Sequence, residues 1–437
     1  MKIAILGGGF TGMAAAYYIR KRGHEVTLYE AAPVLGGLAV GFKSPGWDWY
    51  LERAYHHLFA NDYDILNFAR DTGFDGVFFS SPETASLYEN RKKQETSNKQ
   101  ISNNKYQITK LDTPLDLLRF PYLNIFEKIR AGAVLAFLKF VPFLKIYEEY
   151  SAEDFLKKYM GHRAYEVLFA ELMRKKLGKY AGKILMSFFW ARITKRTKSL
   201  GYIRGGFQTF IDHIEKDLRF KNIDLRIGNP VSGISKKGGK FFIDGEEYDA
   251  VVSTLPSALL PKVAGEIFPQ KYLERFKRLK FLHAIVLILE TKEKFLDKSY
   301  WLNLCTDKIP AMVAVQHTNF VDKKHYGGHE ILYVANYVDN ESPLLKMSDE
   351  EIENHYLKQL RQITNNKLQI TRSFVFKGSF AQPIFDRDFL KNKPDFITPV
   401  KNFYIANLDM TYPYDRGTNY AVKLGRKVAE LIKYSYG

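Results

Sequence analysis

The sequence predicts an α/β protein: a three-layer domain built on a parallel sheet, interrupted twice by an α+β domain. Three observations carry this reading. An apolar strand, Lys2-Ile3-Ala4-Ile5-Leu6, runs straight into Gly7-Gly8-Gly9-Phe10-Thr11-Gly12 and an Ala-rich helix. A second strand, Glu25-Val26-Thr27-Leu28-Tyr29, ends on Glu30, 23 residues after Gly7. Short apolar strands then recur far along the chain, at Asp224–Ile227, in the stretch from Tyr248 to Pro256, and at Phe403–Ala406.

Gly7, Gly9 and Gly12 fit G-x-G-x-x-G, the phosphate-binding turn of a Rossmann-type domain. The first glycine permits the tight turn, the second admits a pyrophosphate, and the third allows close helix–strand packing. The helix starting near Thr11 turns unpaired N–H groups and its positive dipole end toward that pyrophosphate. Glu30 is placed to accept hydrogen bonds from a ribose and would repel a 2′-phosphate, which argues against NADP. A signal peptide would show a small-residue cleavage site and no glycine run, so the segment reads as structure.

Beyond it the pattern turns helical from Leu51 to Phe74, closing on the C-cap glycine Gly73. Asn90–Lys105 is the most polar stretch and reads as an exposed loop between two short strands. Pro114–Lys198 reads as mostly helical, with a capping-box start at Ser151 for a helix through Tyr159. Gly205-Gly206-Phe207 opens a helix to about Lys216, and Gly238-Gly239 turns between two short strands. Strand-like runs follow at His283–Glu290, Ile331–Val338 and Arg372–Lys377, with a helix from Ser348 to Ile363 among them. The chain closes with the strand at Phe403–Ala406 and a helix from Thr418 to Tyr434. Residues 1–85, 201–256 and 397–437 are thus expected to form the nucleotide domain, and 86–200 and 257–396 the substrate domain.

Of the 437 residues, 46% are hydrophobic and 15% aromatic, as in a globular protein with a large core. The single cysteine, Cys305, excludes an internal disulfide and a cysteine-based metal cluster, and fits a reducing, cytoplasmic compartment. The net charge of +17 raises the question of nucleic acid, yet no nucleic-acid-binding signature accompanies it. The basic residues are spread along the chain, with a dense local run around Arg91-Lys92-Lys93. Steering of an anionic substrate, or peripheral contact with an anionic membrane at its inner face, accounts for the charge better. The most apolar stretch, Ala131–Lys145, holds two lysines and Pro142 and falls short of the roughly 20 apolar residues a span requires. It reads as a buried or interfacial helix.

The run from Tyr29 through Glu30-Ala31 to Gly36-Gly37-Leu38 resembles the E-A-x-x-x-x-G-G stretch of the FAD-dependent amine oxidase, protoporphyrinogen oxidase and phytoene desaturase superfamily. Val34 and Leu38 stand where many members carry arginine. Asp249–Pro256 is similar to the superfamily's D-x-V-V-x-T-x-P strand, and Val231 to the valine that contacts the adenine. Asn402–Asp409 with Gly417–Ala421 and Gly425 resembles the C-terminal motif at the flavin's N1/O2 edge, with Asn407 replacing a glycine. Bacterial protoporphyrinogen-oxidase-like proteins are matched by Glu52–Phe59, Trp190-Ala191-Arg192 and Tyr414–Tyr420. The resemblance implies an amine-oxidase-like fold and FAD as cofactor. It implies a cofactor site drawn from Gly7, Gly9, Phe10, Thr11, Gly12, Glu30, Gly36, Gly37, Leu38, Val231, Thr254, Asp409, Asn419, Tyr420 and Ala421. Cys305 lies in no attachment motif, so the flavin is expected to be held without a covalent bond.

Flavin chemistry asks the protein to aim a substrate hydrogen at N5, exclude water and tune the ring, and no metal site is expected. His57 is the candidate base or hydrogen-bond partner beside the ring, with His56 as a structural neighbour. Arg416 enters the last helix and is the second catalytic candidate. Arg192, Arg196 and Arg204 are candidates for holding an anionic substrate group. The expected function is an FAD-dependent oxidoreductase taking a hydride from a small organic substrate, anionic or lipophilic. His57-Leu58-Phe59 also resembles a segment of UDP-galactopyranose mutases, which makes a non-redox flavoenzyme acting on a nucleotide sugar the alternative.

Overall fold

A computed structural model describes residues 1–90, 105–364 and 368–432. Five strands form an all-parallel sheet in the order Asp224–Ile227, Glu25–Glu30, Lys2–Leu6, Ala250–Ser253, Phe403–Ile405. The central strands are apolar along nearly their whole length because both sheet faces are covered, which is the usual condition of parallel strands. The chain steps outward from Lys2–Leu6 in one direction and then, after the insertions, in the other. A crevice therefore opens at the carboxyl ends of Lys2–Leu6 and Ala250–Ser253, where the strand order reverses.

The helix Phe10–Lys21 returns from the first strand and buries Phe10 through Tyr17 and Ile19. The last helix, Thr418–Leu431, lies against it at backbone distance. A Cβ on Gly425 would meet the carbonyl oxygen of Thr11 and come within 2.8 Å of the Ala15 nitrogen. This helix ends before Tyr434, which lies outside the described residues. The helix opened by Gly206 runs Phe207–Phe220, a turn beyond the expected Lys216, as its apolar face continues through Leu218.

The second layer system is a seven-stranded sheet in the order Ile370–Pro383, Phe281–Thr291, Glu330–Val338, Val313–Gln316, Ser299–Leu304, Glu83–Glu89, Tyr106–Thr109. Its pairs are antiparallel except Ser299–Leu304 with Glu83–Glu89. Glu83–Glu89 runs across the expected boundary at residue 85. The loop read at Asn90–Lys105 falls largely outside the described residues, and the strands flanking it pair as expected. Helices Ile125–Phe140, Ala152–Met160, Glu171–Leu177 and Met186–Lys195 form the helical part of this lobe. Ser151 caps its helix by accepting the Asp154 N–H at 3.0 Å.

One expectation is corrected. The stretch from Leu51 is helical only at Tyr63–Asp71. Leu51–Glu52 pairs with Gly41–Phe42, and Leu58–Phe59 pairs with Leu200–Gly201. Distant partners offered these residues a ladder, and that outweighed the local periodicity.

The contact between the first and last helices carries a test. Glycine to alanine in an exposed helix stabilises by up to about 1 kcal/mol. At Gly425 the added methyl must push two backbones apart, so Gly425→Ala is expected to cost about 1–3 kcal/mol, read as a lowered urea midpoint.

Candidate active site

The crevice is lined by two glycine turns that face each other. The Gly36 N–H donates to the Gly8 carbonyl at 2.9 Å, and a Cβ on Gly37 would lie 3.2 Å from the Gly9 Cα. Gly7 has φ +102° and its N–H donates to the Tyr29 carbonyl at 2.8 Å, which sets the tight turn. A Cβ on Gly12 would strike the Gly7 carbonyl, so the third glycine provides helix–strand contact. Gly9 differs: a Cβ there would meet only the Gly37 Cα, at 3.9 Å. No side chain caps the helix that Gly9 begins. The N–H groups of Phe10, Thr11 and Gly12 therefore face a groove that glycine leaves free of side chains, an arrangement that suits a diphosphate.

Glu30 sits at the far end of this groove. Its Oε2 accepts the Gly8 N–H and its Oε1 the Ala32 N–H, both at 2.7 Å. A carboxylate has about four lone-pair sites, so two remain for ribose hydroxyls. The Asn229 N–H donates to the Glu30 carbonyl at 2.9 Å, which brings the segment with Val231 alongside the same strand end. Leu38 follows the glycine pair and is exposed.

The remaining expected cofactor residues divide in two. Asp409 is buried beside the crevice, accepting the Ser257 N–H at 3.1 Å; burial pushes its carboxyl up to about 6. Ala421 lies in the first turn of the last helix, its N–H donating to Gly417 at 3.1 Å. Thr254 and Asn419 spend their side chains on the protein itself. Thr254 Oγ1 donates to the Leu6 carbonyl at 2.8 Å, and Asn419 Oδ1 caps the Tyr63–Asp71 helix by accepting from Asp64 and Ile65 at 2.8 and 3.1 Å. Tyr420 stacks on Tyr414 with ring centroids 4.7 Å apart.

Farther from the glycine turns the walls become aromatic. The Tyr55 ring meets Trp301 at 4.9 Å and Tyr333 at 6.1 Å. His57 lies 5.5 Å from the Phe59 ring and 6.1 Å from Trp301, with Nδ1 3.4 Å from the Tyr300 hydroxyl. Burial, then the neighbouring His56 and Arg196, push His57 down to about 4, so it is a neutral imidazole at pH 7. His56 Nδ1 is bound to the Ala54 carbonyl at 2.6 Å, as suits a structural neighbour.

Arg416 lies over the Tyr337 ring at 4.9 Å, and its neighbour Asp415 is paired with Lys176 at 2.7 Å and with Arg192. Burial works against the Asp415 carboxylate, but these two cations hold it below its usual range. Burial, then Arg192, pushes Lys176 down to about 7. Among the described residues Arg416 pairs with no carboxylate. The cluster stays positive even with Lys176 neutral. Arg196 and Arg204 are elsewhere: Arg196 pairs with Asp112 at 2.6 Å and Arg204 lies over Phe78 at 5.6 Å.

Sequence reasoning missed Lys176, which is one of three adjacent basic residues on its helix and is singled out only by folding. It also left Glu52 without a role. That carboxylate is fully buried, accepts the Tyr202 hydroxyl at 2.6 Å and the Phe207 N–H at 2.7 Å, and so anchors a helix beneath the aromatic wall.

Two outcomes follow. Gly9 has φ −73° and ψ 178°, which any residue adopts, so Gly9→Val should fold, with a circular dichroism spectrum like that of the unchanged protein, yet purify without FAD absorbance. Burial raises Glu52 to about 7, so its contribution is full below the unfolded value near 4.5 and is lost as pH rises through 7. Relative to Glu52→Gln, the unchanged protein should lose roughly 3 kcal/mol between about pH 5 and 8 in urea unfolding.

The comparisons agree with this geometry. The model of flavin containing amine oxidoreductases matches residues 10–433. A putative protoporphyrinogen oxidase from Exiguobacterium sp. 255-15 shares the fold, with a TM-score of 0.74 and 16% identity over 98% of both chains. Reduced UDP-galactopyranose mutase does so with a TM-score of 0.73 and 15% identity, over 98% of this chain and 93% of that one. The coproporphyrinogen III oxidase of Bacillus subtilis is 22% identical over 310 residues, 61% of this chain and 62% of that protein. The chain thus spans less than two thirds of that relative, and under a fifth of the carotenoid desaturases it matches over shorter stretches. With a family match from the first helix to the last, the chain belongs to the flavin-containing amine oxidoreductases.

Proposed function

We propose that this oxidoreductase removes a hydride from an organic substrate that carries a negative charge. The observation behind it is the cationic cluster of Arg416, Arg192 and Lys176, which shares the single carboxylate of Asp415. A protonated amine placed there would meet net positive charge and be repelled, the more so once a bound substrate displaces water from the half-buried cluster. A carboxylate or phosphate would instead give the Arg416 guanidinium its missing partner, through paired N–H···O bonds.

Bound flavin supplies a two-electron acceptor for the substrate hydride. The chain's own residues supply the rest. Tyr55 and Trp301, backed by the fully buried Tyr333, offer aromatic faces that exclude water and orient a flat or lipophilic body. His57, neutral at pH 7, can accept a proton or hydrogen-bond the reacting group. The cation cluster holds the charged end and so fixes which carbon is presented.

A non-redox reaction on a nucleotide sugar is the second reading. It is favoured by the same cations, which would also suit a diphosphate, and by the fold shared with UDP-galactopyranose mutase.

Anaerobic mixing with panels of carboxylated substrates, amines and nucleotide sugars separates these readings. Bleaching of the flavin by a carboxylated compound is expected, with Arg416→Ala raising KM about tenfold or more, or at least about 1.4 kcal/mol, and leaving the bound-flavin spectrum unchanged. Bleaching by amines alone would overturn the proposal. Turnover of a nucleotide sugar only after prior reduction, with no net oxidation, would select the second reading.

A further inference from the structure

The helix Ile125–Phe140 is held to the rest of the molecule along a narrow line, burying only Ala131 and Leu138. Its outer side shows Phe126, Ile129, Phe137 and Phe140 at 80, 59, 46 and 82% exposure. At 3.6 residues per turn these positions follow one stripe along the helix. Phe143, 56% exposed, follows just after the helix end, and Leu118, 50% exposed, lies in the preceding helix Pro114–Arg119, which packs against this one. Exposed side chains of this size are ordinarily scattered singly, whereas a contiguous patch marks an interaction surface.

The charge around the patch names the partner. Between Arg119 and Lys145 lie five cations (Arg119, Lys128, Arg130, Lys139 and Lys145) and one acid, Glu127. Glu127 is used at the helix start, where it accepts the Asn124 N–H at 2.9 Å. Lys128, Arg130 and Lys139 bind neutral backbone carbonyls, of Leu118, Tyr159 and Thr194, so their charges are not cancelled. A second copy of this chain would bring the same positive rim, on a protein of net charge +17, against itself. An anionic bilayer matches both parts: acyl chains for the aromatic stripe and headgroups for the cations.

We propose that this face docks on the surface of an anionic lipid bilayer, with the Ile125–Phe140 helix lying in the plane of the interface. It does not cross. Sixteen residues span about 24 Å as a helix, less than the roughly 30 Å of a hydrocarbon core, and no described helix is long and apolar enough to traverse one. The proposal is independent of the substrate reading, since the stripe lies on the outer surface of the helical lobe. The two do meet through Lys139, whose ammonium holds the Ile193 and Thr194 carbonyls at the end of the helix carrying Arg192.

The test is flotation of the FAD-loaded protein with vesicles of equimolar phosphatidylglycerol and phosphatidylcholine. The protein is expected to float with them, to bind pure phosphatidylcholine vesicles about tenfold less, and to lose binding in high salt. The double variant Phe126→Glu, Phe140→Glu should stay in solution while keeping its flavin spectrum and melting temperature, because both side chains already face water. A single Phe140→Trp reporter should shift its emission to shorter wavelength when the mixed vesicles are added. Failure of the unaltered protein to float, or unchanged flotation of the double variant, would overturn the proposal. So would a concentration-dependent dimer, seen by light scattering, that the double variant abolishes.

Discussion

The closeness of three backbones at the start of the first helix sets up the rest of the molecule. Gly12 lets that helix lie against the turn at Gly7, and Gly425 lets the last helix lie against the carbonyl of Thr11. A side chain at either position would tilt the helix away and move its N-terminus off the crevice. With both in place, the uncapped N–H groups point at the gap between the Lys2–Leu6 and Ala250–Ser253 strands, where the diphosphate belongs. The same contact fixes the last helix, and with it Arg416, the second residue before its first turn.

Electrostatics then divides the interior into two regions. Near the glycine turns the protein offers backbone amides and one acid, Glu30, for phosphates and ribose. Beyond the aromatic wall it offers cations that outnumber their carboxylate. Arg416 is half-buried and lies over a tyrosine face with no carboxylate partner among the described residues, so its charge is open to a ligand. The family is called after amine chemistry; the anionic substrate proposed here follows instead from these cations. The buried polar groups beneath it are spent on shape. Glu52 holds the start of the Phe207–Phe220 helix and, through its own carbonyl, the hydroxyl of Tyr333.

Much of this was legible in the sequence, and for a local reason. The G-x-G-x-x-G turn, the acid ending the next strand, and the second glycine pair are each short patterns whose residues touch neighbours close in the chain or in adjacent strands. The apolar strands at Asp224–Ile227, Ala250–Ser253 and Phe403–Ile405 announced themselves because parallel strands are buried on both faces. Leu51–Phe59 reads as helix in the sequence for the opposite reason: its strand pairs are made with residues about ten to 140 positions away, and its local periodicity does not encode them.

The sequence by itself determined the class of cofactor, the parallel sheet and the motifs that bring the chain back to it, because those depend on backbone conformation and short-range spacing. Only the tertiary structure decided which charges stand together. Arg192, Arg196 and Arg204 look equivalent in a string of letters, yet folding takes Arg192 to Asp415, Arg196 to Asp112 and Arg204 to Phe78. It also decided that Lys176 joins the cluster and that the apolar stripe from Phe126 to Phe140 faces outward. Pairing and exposure are set by what packs across space, and a linear pattern carries no record of the other side of the contact.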